Sequence, residues 1–186
     1  MRFIETEIPG LVILEPKVFG DERGFFMESY NKNLFEENGI RIDFIQDNHA
    51  RSGPVGVLRG LHCQLPPMAQ TKLVRVTAGS VFDVAVDLRK GSPTYGKHVS
   101  VVLSASNFRQ FLIPQGFAHG YVTLEENTEF QYKVDNYYSP ENDAGIIWND
   151  PDLGLDWPLE GEPVLSGKDK ILPRLKDFDS PFVYSG

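Results

Sequence analysis

Eight short strand-like segments follow one another between residues 42 and 136 and leave little room for helices. They are rich in Val, Ile, Phe and Tyr, and Gly, Pro, Asn or Ser separates most of them, which favours β-strands joined by short turns. The predicted strands are Ile42–Asp47, Gly56–Gln64, Thr71–Thr77, Ser80–Asp87, Val99–Ser104, Arg109–Ile113, Gly120–Leu124 and Glu129–Asn136. This many strands with so little helix indicates an all-β fold, either a closed barrel or a double-sheet jelly roll.

The region before these strands predicts shorter elements. Residues 3–19 alternate loosely between apolar and polar and contain prolines, which indicates one or two edge strands. Gly20–Tyr30 predicts a turn followed by an aromatic-rich strand. Asn33, with Glu36 three residues later and Gly39 at the end, predicts one of the few short helices.

The composition changes after Tyr138, where Pro, Gly and Asp become frequent and both tryptophans occur. Tryptophans are seldom left in solvent, so this region is expected to be ordered and to wrap around the strands. We predict a single domain over residues 1–186, with a barrel core at about 42–138 and a wrapping segment at 139–186.

Charge and cysteine content limit the partners and the compartment. The formal net charge of −8 disfavours a nucleic-acid partner, because such binding depends on neutralising many phosphates. The single cysteine excludes an intramolecular disulfide and fits a reducing cytoplasm. The first residues lack the apolar core of a signal peptide, and no apolar run is long enough to span a membrane. We expect a soluble, cytoplasmic protein without a membrane partner.

Residue parity along the strands predicts polar side chains inside the barrel. Lys72 shares a strand face with Val74 and Val76, and Tyr132 shares one with apolar neighbours. Burying a lysine without a partner is unfavourable, so a ligand or a carboxylate is expected to meet it. Most lysines are surface charges and most strand tyrosines simply pack, and that interpretation remains open for both residues.

The segment around His62 raises a question of geometry. Arg59 and His62 are three residues apart, so a straight strand would send them to opposite faces, whereas a bulge at Gly60 would bring them together. Cys63 points away from its neighbour His62 in any strand, which favours a small buried residue over a nucleophile. His62 itself is either a structural histidine or a general base, and Asp169 is a candidate for its orienting carboxylate although spacing does not support that pair.

The histidines also match part of a metal-binding pattern. Pro114-x-Gly116-x-x-His119 matches half of a motif seen in cupin barrels, where a His-x-His and a later glutamate supply the other ligands. Here the corresponding segment reads His62-Cys63-Gln64, and no glutamate follows before Gly79. Two histidines without further ligands make a poor catalytic metal site, so we predict that no metal is bound.

Several motifs together carry a family resemblance. They are GVLRGLH (56–62), KLVRVTAGSVFDVAVDLRKGSPTYG (72–96), IPQGFAHGY (113–121), YKVDNYYSPEND (132–143) and SGKD (166–169). In this order, and from GDERGFF onward, they resemble the dTDP-4-dehydrorhamnose 3,5-epimerase family over almost the whole chain.

The resemblance implies a metal-free, cofactor-free cupin jelly roll that acts as a homodimer on a dTDP-sugar. The implied reaction inverts C3 and C5 of dTDP-4-dehydro-6-deoxy-D-glucose through an enolate at the C4 ketone, on the route to dTDP-L-rhamnose. Among the matching positions, His62 would be the base, Asp169 its orienting carboxylate, Tyr132 the proton donor and Lys72 the group that stabilises the enolate oxygen. The implied substrate-binding residues are Arg23, Glu28, Gln46, Asn48, Arg59, His119, Tyr138, Asp143 and Lys168.

Three alternatives to this function stay open. Relatives on the same frame invert one centre only or move the ketone, and the presence of both His62 and Tyr132 favours double epimerisation. A binding cupin without catalysis is disfavoured because the set of His62, Lys72, Tyr132 and Asp169 is complete. A metal-dependent cupin oxygenase is disfavoured by the missing His-x-His and glutamate.

Overall fold

The computed structural model describes residues 1–185 and consists mainly of antiparallel strands. The strands are β1 (Arg2–Glu5), β2 (Val12–Glu15), β3 (Val18–Asp21), β4 (Gly24–Met27), β5 (Gln46–Ser52), β6 (Leu58–Gln64), β7 (Lys72–Ala78), β8 (Ser80–Asp87), β9 (His98–Ser104), β10 (Gln110–Ile113), β11 (Phe117–Thr123), β12 (Thr128–Val134) and β13 (Asp143–Gly145). One α-helix, α1 (Lys32–Glu37), and three short 3₁₀ helices (Pro140–Asn142, Pro151–Leu153 and Leu175–Asp177) complete the secondary structure of this range. None of these helices is long and apolar enough to cross a membrane.

The strands form two large sheets and one separate hairpin. The six-stranded sheet has the order β1-β2-β10-β7-β12-β5, and the five-stranded sheet has the order β13-β6-β11-β8-β9. Strands β3 and β4 pair only with each other. Neighbouring strands in all three sheets are antiparallel, so the predicted all-β jelly roll is confirmed.

Alternating side chains build one core between the sheets and a cover on each outer face. Val74 and Phe130 of the six-stranded sheet pack with Ala85 and Val101 of the five-stranded sheet in the central core. Apolar residues of the C-terminal segment, such as Trp157, pack against the outer face of the five-stranded sheet. The five-stranded sheet is therefore packed on both of its faces.

Helix α1 covers part of the outer face of the six-stranded sheet. Phe35 of the helix packs with Leu73 and Leu112 of the sheet, joined by Ile42 and Phe44 from the following segment. The predicted strand Ile42–Asp47 is therefore wrong in its bounds, because its apolar residues pack beneath the helix and strand β5 begins at residue 46. The predicted helix cap is also displaced. The side chain of Asn31, two residues earlier than Asn33, accepts hydrogen bonds from the first turn.

A bulge in β6 brings Arg59 and His62 to the same face. In the pairing with β11, His62 lies opposite His119 and Arg59 lies opposite Tyr121, so two residues of β6 face the single Gly120. The backbone at Gly60 has a φ of +136°, and a Cβ there would lie 2.5 Å from the Gly120 Cα. Glycine is thus required at position 60 by both the backbone conformation and the close approach of the two strands.

Replacing Gly60 with alanine should lower the free energy of unfolding by about 3–5 kcal/mol, because strain at positive φ and overpacking add together. Chemical denaturation measures this loss. Gly91 is the matched control, since its φ is +81° and a Cβ at that position would have no atom within 4 Å. Gly91→Ala should cost only about 1–2 kcal/mol. Equal losses in the two variants would show that the strand contact does not require glycine.

Candidate active site

A cavity of about 530 Å³ opens between the two sheets and is lined by all four predicted catalytic residues. The five-stranded sheet contributes Arg59, His62, His119 and Tyr121 to its wall. From the opposite sheet come Lys72 and Tyr132, and from the C-terminal segment come Val164, Leu165, Ser166, Lys168 and Asp169. The four predicted catalytic residues therefore meet in one cavity, although His62 and Asp169 are separated by more than a hundred positions along the chain.

Half-buried His62 and buried Asp169 form a hydrogen-bonded pair. The imidazole Nε2 lies 2.5 Å from the Asp169 Oδ1, and the exposed fractions of the two side chains are 27% and 3%. A carboxylate on one ring nitrogen fixes the orientation of the imidazole and leaves the other nitrogen for a proton transfer. The pair therefore has the geometry of an oriented general base at the cavity wall.

The segment that carries Asp169 pairs with the chain at the start of β6. The backbone N–H of Leu58 donates to the Val164 carbonyl, at 3.0 Å, and the Val164 N–H donates to the Gly56 carbonyl, at 2.9 Å. The backbone N–H of Asp169 donates to the Ser166 Oγ at 3.2 Å. These bonds hold the carboxylate beside the strand that bears the histidine.

Burial alone would raise the pKa of Asp169, but hydrogen bonds to its carboxylate from His62 and Ser166 outweigh burial and hold the pKa below its usual value of 3.8. A depressed folded-state pKa stabilises the fold above the unfolded pKa, and this contribution disappears as the pH falls through the folded value.

Asp169→Asn should therefore lower the free energy of unfolding at pH 7 by about 1–3 kcal/mol, because a charge-assisted hydrogen bond in a buried site is lost. The difference from wild type should begin to shrink below about pH 4, where this carboxyl becomes protonated in the unfolded chain, and should disappear as the pH falls through the lower pKa of the folded state. Denaturant titrations from about pH 7 to about pH 3 test this. Asp156→Asn, at an exposed aspartate of the same segment, is the control. A difference that stays constant over the whole titration would contradict the prediction.

Lys72 projects into the cavity from β7, as its parity predicted. Burial lowers the pKa of Lys72, and the charges of Asp143 and Asp83 offset only part of this effect. Both carboxylates act on the ammonium through space, since neither forms a hydrogen bond with it. An ammonium without a close carboxylate in a partly dry cavity is suited to meet negative charge on a bound substrate.

Tyr132 lies on the same wall as Lys72. Burial raises the pKa of Tyr132, with a smaller opposing effect from the charge of Arg59, so the phenol keeps its proton at neutral pH. Tyr132 and Lys72 belong to the six-stranded sheet, whereas His62 belongs to the other sheet. A protonated phenol and an oriented imidazole thus approach the cavity from opposite walls.

A second histidine–carboxylate pair lies deeper between the sheets. The Nε2 of His119 is 3.0 Å from both carboxylate oxygens of Asp83, and both side chains are buried. Burial lowers the pKa of His119 and raises that of Asp83. Asp83 was missed from the sequence. The sequence feature that could have indicated it is an acidic residue within the apolar segment SVFDVAVD, on the same inward-facing side as Val81 and Ala85.

Five of the remaining predicted substrate-binding residues form two groups. Lys168 lines the cavity and forms an ion pair with Asp143, whose carboxylate also accepts a 3.2 Å hydrogen bond from the Tyr138 hydroxyl. Gln46 and Asn48 lie on β5, where Asn48 is the register neighbour of Tyr132 and accepts a 2.9 Å hydrogen bond from the Gln46 amide. Among these five residues Lys168 alone lines the cavity; Asp143 contacts Lys168 and Asn48 neighbours Tyr132, so the two groups adjoin its rim.

Arg23 and Glu28 do not reach this cavity within residues 1–185 of a single chain. Arg23 lies at the tip of the β3–β4 hairpin and pairs with Asp21, and Glu28 accepts a 3.3 Å hydrogen bond from Asn31. Both side chains are exposed. Their expected place in the pocket is not seen within one chain.

The residues that could bind a metal do not converge in the described chain. Within residues 1–185 there is no group of three or more His, Cys, Asp and Glu side chains arranged to hold a metal ion. The Nε2 of His119 is engaged by Asp83 and that of His62 by Asp169. The sequence position of the missing cupin histidine is occupied by Gln64, which is buried.

Known proteins resemble this chain over nearly its whole length. A family model described as dTDP-4-dehydrorhamnose 3,5-epimerase matches residues 5–177. The dTDP-4-dehydrorhamnose 3,5-epimerase of Shigella flexneri is 58% identical over 180 residues, which cover 96% of this chain and 98% of that protein. The crystal structure of dTDP-6-deoxy-D-glucose-3,5-epimerase from Legionella pneumophila, in complex with dTDP-4-keto-L-rhamnose, superposes with a TM-score of 0.95 at 49% identity, covering 100% of this chain and 99% of that one.

A solved 3'-monoepimerase from Streptomyces bikiniensis, in complex with dTDP-quinovose, superposes with a TM-score of 0.88 at 31% identity, covering 93% and 87% of the two chains. The fold is therefore that of a cupin-type isomerase. The match of the family model and the identity to its members identify the group more closely. The chain belongs to the dTDP-4-dehydrorhamnose 3,5-epimerase family.

Proposed function

We propose that this enzyme converts dTDP-4-dehydro-6-deoxy-D-glucose to dTDP-4-dehydro-6-deoxy-L-mannose by inverting C3 and C5, in the biosynthesis of dTDP-L-rhamnose. The observation that carries the proposal is the placement of His62 and Tyr132 on opposite walls of one cavity. Inversion requires that a proton leaves one face of the sugar and that another arrives at the opposite face. The relatives named 3,5-epimerases support the choice of substrate.

His62 would abstract the proton next to the C4 ketone, with Asp169 stabilising the imidazolium that forms. A positioned general base contributes about 10²–10⁴-fold to the rate. The electron pair moves onto the ketone oxygen and gives an enolate, whose charge Lys72 would stabilise. Tyr132 would then donate its proton to the carbon from the other side. The same groups would serve C3 and C5, because both carbons flank the ketone.

Proton NMR in heavy water, with the wild-type enzyme and dTDP-4-dehydro-6-deoxy-D-glucose, tests the reaction. Deuterium should enter at both C3 and C5, and the product should have the L configuration. Incorporation at one carbon alone would make the protein a monoepimerase, like the S. bikiniensis protein with the same fold. The absence of incorporation in a protein that still binds the sugar would contradict the proposal.

We further propose that the enzyme works as a homodimer. Phe25 and Phe26 on the β3–β4 hairpin are 61% and 67% exposed, and clusters of exposed aromatic side chains mark interaction surfaces. Arg23 and Glu28, which lie outside the cavity of their own chain, would reach the cavity of the second copy. Sedimentation velocity should show a dimer for wild type and a monomer for the double variant Phe25→Glu, Phe26→Glu. A monomeric wild type would contradict this part of the proposal.

We place the enzyme in the cytoplasm, without a nucleic-acid or membrane partner. The one cysteine, Cys63, is free and buried, and burial raises the pKa of its thiol to about 11. The formal charge of −8 disfavours contact with nucleic acid. Fractionation of cells should recover the protein with cytoplasmic markers, and recovery with membranes would contradict the assignment.

A further inference from the structure

We infer that Gln64 is a positioning residue that fixes the Tyr138-bearing segment at the rim of the cavity and thereby sets the affinity for the nucleotide part of the substrate. This inference rests on the proposed function, because it assigns the rim to nucleotide-sugar binding. Gln64 lies two residues after His62, on the same side of β6, but it does not line the cavity. It therefore acts through other residues.

The side-chain amide of Gln64 is committed to the main chain of two neighbouring segments. Its Nε2 donates to the Met68 carbonyl, at 2.6 Å, and to the Tyr137 carbonyl, at 3.1 Å. Its Oε1 accepts from the Ser139 N–H at 2.6 Å. The side chain is buried, with 5% of the residue surface exposed. Both donor hydrogens and the acceptor are thus used, and two of the three bonds hold the backbone on either side of Tyr138.

Other hydrogen bonds join the same two segments and support the view that the connection is a built feature. The Gln70 Nε2 donates to the Asn136 carbonyl, at 2.8 Å, and the Leu65 N–H donates to the Asn142 carbonyl, also at 2.8 Å. Along the segment 136–142, the hydrogen bonds of Gln64 lie between these two and are the nearest to Tyr138.

The segment that is fixed in this way presents an exposed aromatic side chain. Tyr138 is 58% exposed, although the backbone on both sides of it is held by a buried residue. An exposed aromatic ring on a fixed backbone suits the stacking of a planar base, because the entropy of ordering the segment is already lost before the ligand binds.

The contacts continue from Tyr138 to the cavity. Its hydroxyl donates to Asp143, which lies opposite Gln64 in the pairing of β13 with β6 and forms an ion pair with Lys168 of the cavity wall. Of the residues in this chain of contacts only Lys168 lines the cavity, and it does so from the C-terminal segment, whereas Lys72 and Tyr132 belong to the six-stranded sheet. Loss of the Gln64 amide should therefore weaken binding and spare the chemical step.

Gln64→Leu keeps most of the side-chain volume and removes all three hydrogen bonds. We expect the Kd for dTDP, measured by calorimetry, and the KM for the dTDP-sugar to rise about tenfold or more, with kcat within about threefold of wild type. In a Tyr138→Ala background, Gln64→Leu should add little to either constant, because the residue that it positions is already absent.

The matched control is Ser180→Ala. Ser180 is also buried and its Oγ donates to a main-chain carbonyl, that of Leu88 at 2.5 Å, but it does not line the cavity. This variant should leave the Kd and the KM unchanged even if its thermal stability falls as much as that of Gln64→Leu. Matched rises in the control would show that lost stability, rather than positioning, explains the result, and would overturn the inference.

A second variant keeps the inference testable if Gln64→Leu fails to fold. Gln64→Glu retains the acceptor for the Ser139 N–H but turns a carboxylate oxygen toward the Met68 and Tyr137 carbonyls, so the Kd for dTDP is expected to rise at least as much as in Gln64→Leu. An unchanged Kd in folded Gln64→Glu, or additive effects of Gln64→Leu and Tyr138→Ala, would overturn the inference. A wild-type protein that binds dTDP but exchanges no deuterium would overturn the proposed reaction instead, so the two failures are distinguishable.

Discussion

His62→Ala should slow deuterium incorporation at both C3 and C5, and kcat with it, by about 10²–10⁴-fold, because the general base is removed while the cavity remains. The buried carboxylate of Asp169 would at the same time lose the imidazole nitrogen that lies 2.5 Å from its Oδ1. NMR in heavy water measures the exchange, and a steady-state assay measures kcat.

His49→Ala is the control for this prediction. His49 is exposed and pairs with Glu129 at 3.1 Å, on the face of the six-stranded sheet that points away from Tyr132. Its replacement should leave the exchange rates at C3 and C5 within about twofold of wild type. If His62→Ala exchanged either carbon at the wild-type rate, a base other than His62 would have to act there, and the proposed mechanism would be wrong for that centre.

Lys72→Met should lower kcat by about 10²–10³-fold, because the developing enolate would lose its main electrostatic partner. The free energy of unfolding should stay level or rise, since methionine fills a similar volume and removes a charge that burial disfavours. Opposite effects on activity and on stability are expected only for a residue retained for function. Assays of kcat and denaturant titrations on the same preparation measure the two effects.

Lys133→Met provides the comparison for Lys72. Lys133 lies on the neighbouring strand β12 and points to the outer face, where its Nζ is 2.8 Å from the Asp47 Oδ1. This variant should keep kcat near the wild-type value. A Lys72→Met enzyme with normal kcat would show that the enolate oxygen is stabilised elsewhere in the cavity.

Local periodicity predicted the parts of the site that depend on it. The alternation around Lys72 and Tyr132 placed both side chains inside the fold, where they line one cavity. The same rule separated Cys63 from His62, and Cys63 packs on the outer side of the five-stranded sheet. Parity needs only the residues of one strand, so it can be read without knowledge of the tertiary structure.

Features that depend on distant residues could not be derived in this way. The pairing of His62 with Asp169 was supplied by the family resemblance, because nothing in their spacing indicates a contact. Whether Arg59 faces the cavity depends on a bulge, which requires the approach of a second strand. The shift of β5 has the same origin, since packing under helix α1 competes with the local preference of Ile42 and Phe44 for a strand.

The catalytic base is complete only when the C-terminal segment has docked on the barrel. The histidine and the carboxylate of the base pair are 107 residues apart, and the carboxylate arrives on the segment that also covers the five-stranded sheet. We expect the barrel strands to pair before this segment docks and the oriented base to form only afterwards. In refolding experiments, catalytic activity should therefore recover later than the circular dichroism signal of the strands. Before the segment docks, His62 lacks its Asp169 partner, and a bound sugar would meet no oriented base.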